Sequence, residues 1–339
     1  MRVAVTGTSG FVGGAVAQAL VARGDEVVSV GRTIPADPAL AATHLAWDLA
    51  SGDGAPGVLR DVDAVVHAAA RVAPWGLAGP FHRTTVEGTR RLLDGVGART
   101  RLVVIGSASV YDPRRAAAVD TPAREPEGPV DDSRYLNAYA RAKAAQELVV
   151  RRTRPDALVL RPRAVWGPGD RALLPRLLAR VRGSILPLPA GGRHAASFTF
   201  IDSLVGAVVA GLDHPAVSGP VNVADATPIA PARLVETLGD ALGRRIRVVP
   251  VPVVLAGVAG AAVEAVYAAA GSRREPPVSR YAVAAFAVPH VLDLHRIHDE
   301  LELAADAELQ AAIVLVADDL RRRGVVEPSA GRAQRRRQP

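Results

Sequence analysis

Residues 2–14, Arg2-Val3-Ala4-Val5-Thr6-Gly7-Thr8-Ser9-Gly10-Phe11-Val12-Gly13-Gly14, decide the fold. Arg2–Thr6 reads as a strand, and a helical pattern over Phe11–Arg23 opens almost at once behind it. Gly7, Gly10 and Gly13 stand three residues apart. Gly7 permits a tight turn, Gly10 lets backbone approach a pyrophosphate, and Gly13 lets the helix pack closely on the strand. The helix N-terminus adds N–H donors and the positive end of its dipole. A glycine triplet alone says little in a chain with 31 glycines. The strand before it and the helix behind it make it a dinucleotide cradle, with Ser9, Phe11 and Val12 as further contacts.

Working outward, short β-branched runs alternate with longer Ala/Leu-rich stretches. Strands are expected at Glu26–Val30, His44–Trp47, Ala64–Ala68, Leu102–Gly106 and Ala157–Leu160, with helices over Pro80–Val96 and Asn137–Arg152. That alternation implies an α/β fold, a doubly wound parallel sheet with helices on both faces. After Pro162 prolines and glycines become frequent. Strand-like runs at Ser197–Ile201 and Val221–Val223, a helical Pro231–Leu242 and the apolar Val251–Ala270 follow. The expected division is a nucleotide-binding domain over 1–165, to which strands near 197–223 return. A smaller lobe covers mainly 166–320, and a disordered basic tail covers 325–339.

The second strand ends in Val30-Gly31-Arg32-Thr33 rather than in the Asp or Glu that accepts from an NAD ribose. Arg32 suits a 2′-phosphate instead. The cofactor expected is therefore NADP(H), with NAD as the alternative. Asp48, at the end of the third strand, is a candidate for the adenine edge, with Leu49 beside it. In His67-Ala68-Ala69-Ala70, the small Ala68 and Ala69 let a cofactor lie close.

Of 41 Lys and Arg residues only Lys143 is lysine. It lies four residues after Tyr139 in a helical stretch, so ammonium and phenol share a face. A phenol titrates near 10. A fixed cation beside it favours phenolate, which predicts a lowered pKa and a usable general acid/base. With five tyrosines in 339 residues, chance gives this spacing roughly 1.5% of the time. An arginine is not a compact, rotatable point charge and would replace this lysine poorly. Ser107, after the fifth strand, sits where open α/β sheets bind ligands and can hydrogen-bond a substrate oxygen opposite Tyr139. Ser109 is the alternative.

With these residues in place the chain resembles the extended short-chain dehydrogenase/reductases. The likeness rests on the glycine turn, on Ser107 four residues before Tyr111, on the Tyr139/Lys143 pair and on Leu160-Arg161-Pro162-Arg163 leading to Trp166-Gly167-Pro168-Gly169-Asp170. Phe200-Ile201-Asp202-Ser203 and Val221-Asn222-Val223 extend it over roughly residues 1–320. Within that family the chain is most similar to the 3β-hydroxysteroid dehydrogenase-like branch, which includes reductases of 2-alkyl-3-ketoacids. His67-Ala68-Ala69-Ala70, Pro74-Trp75-Gly76 and Pro276-Pro277-Val278-Ser279-Arg280-Tyr281 carry that closer likeness.

The resemblance implies a Rossmann-type sheet with a C-terminal substrate lobe, Ser107, Tyr139 and Lys143 as catalytic residues, and Pro162 among the cofactor contacts. It implies hydride transfer between nicotinamide and a secondary alcohol or ketone, on a hydrophobic sterol-like or β-keto acid-like small molecule, and a homodimer as a common assembly. Where the branch usually has Asn, this chain reads Thr84-Thr85-Val86-Glu87-Gly88-Thr89. Ser203 replaces the usual Asn after Asp202, and Leu303-Ala304-Ala305-Asp306 replaces the usual Leu-Gly-Tyr-Xaa-Pro. The alternatives are a sugar-nucleotide epimerase or dehydratase, for which Arg163, Arg193 and Arg280 would supply cationic anchors, and a non-catalytic NADP-binding sensor.

Composition narrows the field further. There is no cysteine, which excludes disulfides, thiolate metal sites and cysteine nucleophiles. The net charge of +7 is concentrated after residue 320, where seven arginines face one glutamate. The remainder is close to neutral, so no nucleic-acid partner is expected. With a strand pattern starting at Arg2 no secretory leader is expected, and the longest apolar stretch falls short of the roughly 20 residues that span a bilayer. The protein is thus expected in the cytoplasm, without stable membrane insertion. His290, His295, His298 and Asp293 lack helical ligand spacing, and no metal is expected. Val251–Ala270 reads either as a buried helix of the small lobe or as an apolar wall over a hydrophobic substrate.

Overall fold

The computed structural model describes residues 1–112, 121–272, 274–304 and 306–325. The tail expected over 325–339 therefore lies, Val325 apart, outside the described residues. Seven strands form one parallel sheet. They are β1 (Arg2–Thr6), β2 (Glu26–Gly31), β3 (His44–Ala46), β4 (Ala64–His67), β5 (Arg101–Ile105), β6 (Leu158–Pro162) and β10 (Gly219–Val223). Their spatial order is β10-β6-β5-β4-β1-β2-β3. The chain thus runs outward from β1 to β3, returns past β1 to β4, and continues to β10. The reversal beside β1 opens a crevice at the C-terminal strand ends, where such sheets bind ligands. This is the Rossmann-type sheet.

The central strands are apolar on both faces because helices cover both. Val3, Val5, Val66, Val103 and Leu158 pack against the helices Phe11–Arg23 and Ile201–Asp213. Ala4, Val65, Leu102, Val104 and Val159 pack with Leu92, Leu93 and Val150 on the other face. Arg101 joins sheet and helix. Its buried guanidinium donates to the carbonyls of Gly211, His214 and Val217, satisfying acceptors at the end of Ile201–Asp213.

Three elements differ from the sequence reading. The stretch read as one helix over Pro80–Val96 is α-helical at Ala78–Phe81 and Gly88–Gly95 and π-helical at His82–Glu87. The consecutive β-branched Thr84-Thr85-Val86 disfavour regular α-helix there. The strand read at Ser197–Ile201 shortens to β9 (Thr199–Phe200), which pairs with β7 (Val165–Trp166) outside the main sheet. Ile201 instead opens a helix of thirteen residues. The apolar stretch forms the helix Val253–Ala269, of which only Ala256, Gly260 and Glu264 are buried. None of its residues lines the central cavity. It is neither a buried helix nor a wall of that cavity, because only one narrow stripe of it is buried and the rest is largely exposed. Two further strands, β8 (Ile185–Pro189) and β11 (Arg247–Val251), pair separately beside the helix Arg280–Ala287. No helix among the described residues is long and apolar enough to cross a membrane.

Candidate active site

A cavity of about 1060 Å³ runs from the β1 turn across the C-terminal strand ends to the segment 275–292. Every residue expected to hold the cofactor or to act in catalysis lines it: Gly7, Ser9, Gly10, Phe11, Val12 and Gly13 at the turn, Arg32, Asp48 and Leu49 after β2 and β3, Ala68 and Ala69 after β4, then Ser107, Tyr139, Lys143 and Pro162.

The turn is built so that side chains are excluded. Gly7 has φ +78, the left-handed region that favours glycine, and a Cβ there would stand 3.0 Å from the Ala69 backbone nitrogen. A Cβ on Gly13 would stand 2.3 Å from the Gly7 carbonyl oxygen. Gly10 caps the helix Phe11–Arg23 without any side-chain acceptor, and no acidic residue occupies the first turn. The first N–H groups of that helix are left for an anion, as a pyrophosphate site requires. These residues fit a dinucleotide. Arg32 is exposed at the end of β2 and, among the described residues, makes no ion pair, which leaves its guanidinium for a ligand phosphate. Asp48 uses one carboxylate oxygen to accept from the Ala50 N–H at 2.9 Å.

Asn137 sets the helix that carries Tyr139 and Lys143. Its side chain caps Ala138–Thr153 by accepting from the Ala140 N–H at 2.8 Å. Tyr139 and Lys143 then face the cavity one turn apart. Lys143 is 3% exposed, and its ammonium donates to the Ile105 carbonyl at 2.7 Å and the Gln146 Oε1 at 3.0 Å. Its third N–H is available to a ligand in the cavity.

The spacing predicts a lowered phenol pKa, and the structure reverses that expectation. Burial pushes Tyr139 up to about 12, Tyr281 adds to the rise, and the hydrogen bond with the Ser107 hydroxyl opposes it. Burial is the larger cause, and Lys143 is not among the groups that shift the phenol. Its ammonium is held by Ile105 and Gln146, and burial pulls its own pKa down to about 7 against the pull of Glu147. Ser107 is thus the hydroxyl that engages Tyr139. The Ser109 hydroxyl, the alternative, is buried without a partner.

Behind Lys143 lies a polar chain that the sequence reading missed. The Thr89 hydroxyl donates to the Thr85 carbonyl at 2.6 Å, so it accepts from both Gln146 Nε2 and His67 Nε2, each at 2.9 Å. His67 therefore carries its proton on Nε2, and its bare Nδ1 accepts from the Thr6 hydroxyl at 2.8 Å. Thr6 in turn accepts from the Ala69 N–H at 3.1 Å. Burial, then the Lys143 charge, pull the imidazole down to about 3, so it stays neutral. The chain ties strands β1 and β4 to the lysine. The spacing of Lys143 and Gln146, three apart on a helix, is the one local signal that points to it.

Beneath the site Arg161 and Glu147 form an ion pair, their side chains 0% and 1% exposed. Arg161 also donates to the Tyr111 hydroxyl and to the carbonyls of Glu125 and Gly128, each at 2.9 Å. Tyr111 donates onward to Asn222 at 2.6 Å. Of the three arginines named as anchors, only Arg163 lines the cavity. Arg280 is bound to Glu264 at 2.6 Å, and Arg193 lies outside the lining. The histidines do not converge: His290 lines the cavity and bonds the Ala284 carbonyl, whereas His295 is exposed and pairs with Asp293.

A family model described as the NAD dependent epimerase/dehydratase family matches residues 3–224. The chain is similar to a 2-alkyl-3-oxoalkanoate reductase of Stenotrophomonas maltophilia, 29% identical over 86% of this chain and 90% of that one. A protein of the same name from Shewanella oneidensis is 27% identical over 86% and 79%. Among solved structures, UDP-glucuronic acid 4-epimerase from Bacillus cereus in complex with NAD superposes with a TM-score of 0.71 at 18% identity, covering 96% of this chain and all of that one. At that identity the likeness is one of fold.

Proposed function

The chain belongs to the NAD dependent epimerase/dehydratase family of extended short-chain dehydrogenases/reductases, and from that premise we propose that it interconverts a ketone and a secondary alcohol on a hydrophobic small molecule, with NADP(H). The observation that carries the proposal is the convergence of Ser107, Tyr139 and Lys143 on a cavity that begins at the glycine turn. The nicotinamide nucleotide, when bound, supplies or accepts the hydride. Ser107 and the Tyr139 phenol hold the substrate oxygen from two sides. Tyr139 gives the oxygen its proton in reduction and takes it in oxidation. Lys143 uses its remaining N–H to hold a ribose hydroxyl. With its pKa up at about 12 the phenol is protonated at neutral pH, the form that donates to a ketone oxygen.

Arg32 supports NADP over NAD, because a free guanidinium stands at the end of β2 where an NAD site usually has a carboxylate. Residues 166–320 mainly supply the substrate side, with Leu173, Tyr281 and Phe286 on its wall. The names of the relatives support a 3-keto acid with an alkyl branch, and a sterol is the other hydrophobic candidate. The epimerase alternative draws less from the site, since Arg280 is occupied and Arg193 is remote.

Tyr139→Phe is the test. NADP binding should stay within about twofold, while reduction of a panel of hydrophobic ketones falls by roughly 10²–10⁴-fold. Unchanged turnover in the variant would refute the role of Tyr139. A parent protein that binds NADP yet turns over nothing would favour the sensor.

A further inference from the structure

The second half of the cavity contains a cation without a counter-charge. Arg163 follows β6 directly and lines the same cavity as Tyr139 and Ser107. Its guanidinium makes one hydrogen bond, from Nη1 to the Ser197 carbonyl at 3.3 Å. Among the described residues no carboxylate pairs with it. The other arginines of the lining differ. Arg176 and Arg180 share Glu275, Arg71 lies over the Phe81 ring, and Arg32 and Arg171 are exposed to water. Arg163 alone is only partly exposed and leaves most of its donors unused.

Its neighbours do not neutralise it. Tyr281 and His290 feel its charge, and Tyr281 is also close enough to Tyr139 to raise that phenol. Tyr281 therefore shares the cavity wall with both the proposed acid/base and the guanidinium, within electrostatic reach of each. His290 is held neutral, pulled down to about 4 by burial and by Arg163 itself. Burial also lowers Arg163, to about 10, which leaves it charged at neutral pH. The backbone is shaped for this position. Ala164 adopts φ 47, a left-handed conformation that costs an alanine about 1 kcal/mol or more. It turns the chain sharply between β6 and β7, immediately after the arginine.

A desolvated guanidinium that faces a ligand cavity is costly unless an anion joins it, and a carboxylate matches its planar fork. We propose that Arg163 binds a carboxylate of the substrate, next to the carbonyl that Tyr139 protonates, so that the enzyme acts on an apolar keto acid or hydroxy acid and not on a neutral sterol. The inference rests on the hydride-transfer reading for what happens at the carbonyl, but the subsite itself is a matter of binding.

The test is therefore a binding measurement. A long-chain 2-alkyl-3-hydroxyalkanoate, its methyl ester and a 3-hydroxysteroid are titrated calorimetrically into NADP-saturated protein carrying Tyr139→Phe, so that binding is read without turnover. That protein should prefer the acid to its ester by roughly 10–100-fold. Arg163→Gln should erase that preference with NADP affinity unchanged, and Arg163→Lys should restore part of it. Three results would overturn the proposal: equal binding of acid and ester or none, a preference that survives Arg163→Gln, or a parallel loss of NADP affinity that gives Arg163 to the cofactor. If the acid shows an Arg163-dependent preference yet is never oxidised by the parent protein, the subsite stands and the hydride-transfer reading falls.

Discussion

Gly13→Ala separates the cradle's role from its stability. A Cβ at residue 13 would meet the Gly7 carbonyl oxygen at 2.3 Å and the Gly7 carbonyl carbon at 2.7 Å. Both are backbone atoms and cannot rotate away. Restoring ordinary contact requires the first turn of Phe11–Arg23 to move by about 1 Å from β1. Overpacking of this kind costs about 1–3 kcal/mol. Replacing a helical glycine by alanine returns about 1 kcal/mol. The net loss of stability should therefore be small, about 0–2 kcal/mol. The functional loss should be larger, because the displaced N–H groups are those that would hold the pyrophosphate. Misplacement by about 1 Å of groups that must converge on a ligand costs about 10–100-fold. Gly24→Ala is the matched control. Gly24 has φ 92 with nothing within 4 Å of its would-be Cβ, so alanine there adds about 1 kcal/mol of backbone strain far from the turn. Urea unfolding of both variants and NADP titration by calorimetry decide the matter. Gly13→Ala should lose affinity and Gly24→Ala should keep it. Full affinity in both would refute the turn as the pyrophosphate seat, and equal loss in both would trace the effect to global stability.

Other expectations follow from single contacts. Arg161→Met removes the buried partner of Glu147, leaving it only the half-exposed Arg151 at 3.7 Å, and should cost about 3–5 kcal/mol in urea unfolding. Adding Glu147→Leu should recover much of this, and a single-variant loss below about 1 kcal/mol would contradict the ion pair's burial. Tyr111, Tyr135 and Tyr139 are each pushed up to about 12 by burial, above the ordinary phenol value near 10. The folded state thus binds protons that the unfolded state has lost between those limits. This contribution to stability is complete below pH 10 and disappears as pH rises towards 12. Melting temperature against pH, read beside tyrosinate absorbance, tests it, and three phenols titrating near 10 with no fall in melting temperature would exclude it. Arg32→Ala should weaken NADP by about tenfold or more and leave NAD unaffected; an equal loss for both nucleotides would place Arg32 away from the 2′-phosphate.

How much of this was legible follows from the range of each interaction. The cradle and the early strands are local patterns, and β1, β2 and β4 form as their periodicity predicts. The helix Ile201–Asp213 left no such pattern, because it is apolar nearly all round and its β-branched start reads as strand. What makes it a helix is tertiary: Gly211 lets it approach β6, where a Cβ would stand 2.4 Å from Leu158, and Arg101 caps its end. The polarity of the site was hidden for the same reason. Spacing puts an ammonium near a phenol, but only the fold says that both are desolvated and that the ammonium is bound elsewhere. Arg163 is one arginine among 40 in the chain, and only the fold shows it partly buried in the cavity with most of its donors unused.

The lone lysine gains its explanation from that desolvation. A chain that uses arginine for every other cation keeps lysine where the side chain is 3% exposed and where two acceptors stand at 2.7 and 3.0 Å. A guanidinium brings five N–H donors in a rigid plane, and this pocket offers two protein acceptors. At least two of its donors would be buried unpaired, each costing about 1–3 kcal/mol. The ammonium has three donors, two of them used, and keeps one for a ligand. Burial also places its pKa at about 7, where an amine can change charge and a guanidinium cannot. The neighbouring imidazole is kept neutral, so the charge beside Tyr139 depends on Lys143 alone among the groups of the Thr6–His67–Thr89–Gln146 chain. A charge on Lys143 is therefore free to follow what binds in the cavity, and an anionic dinucleotide would favour the ammonium.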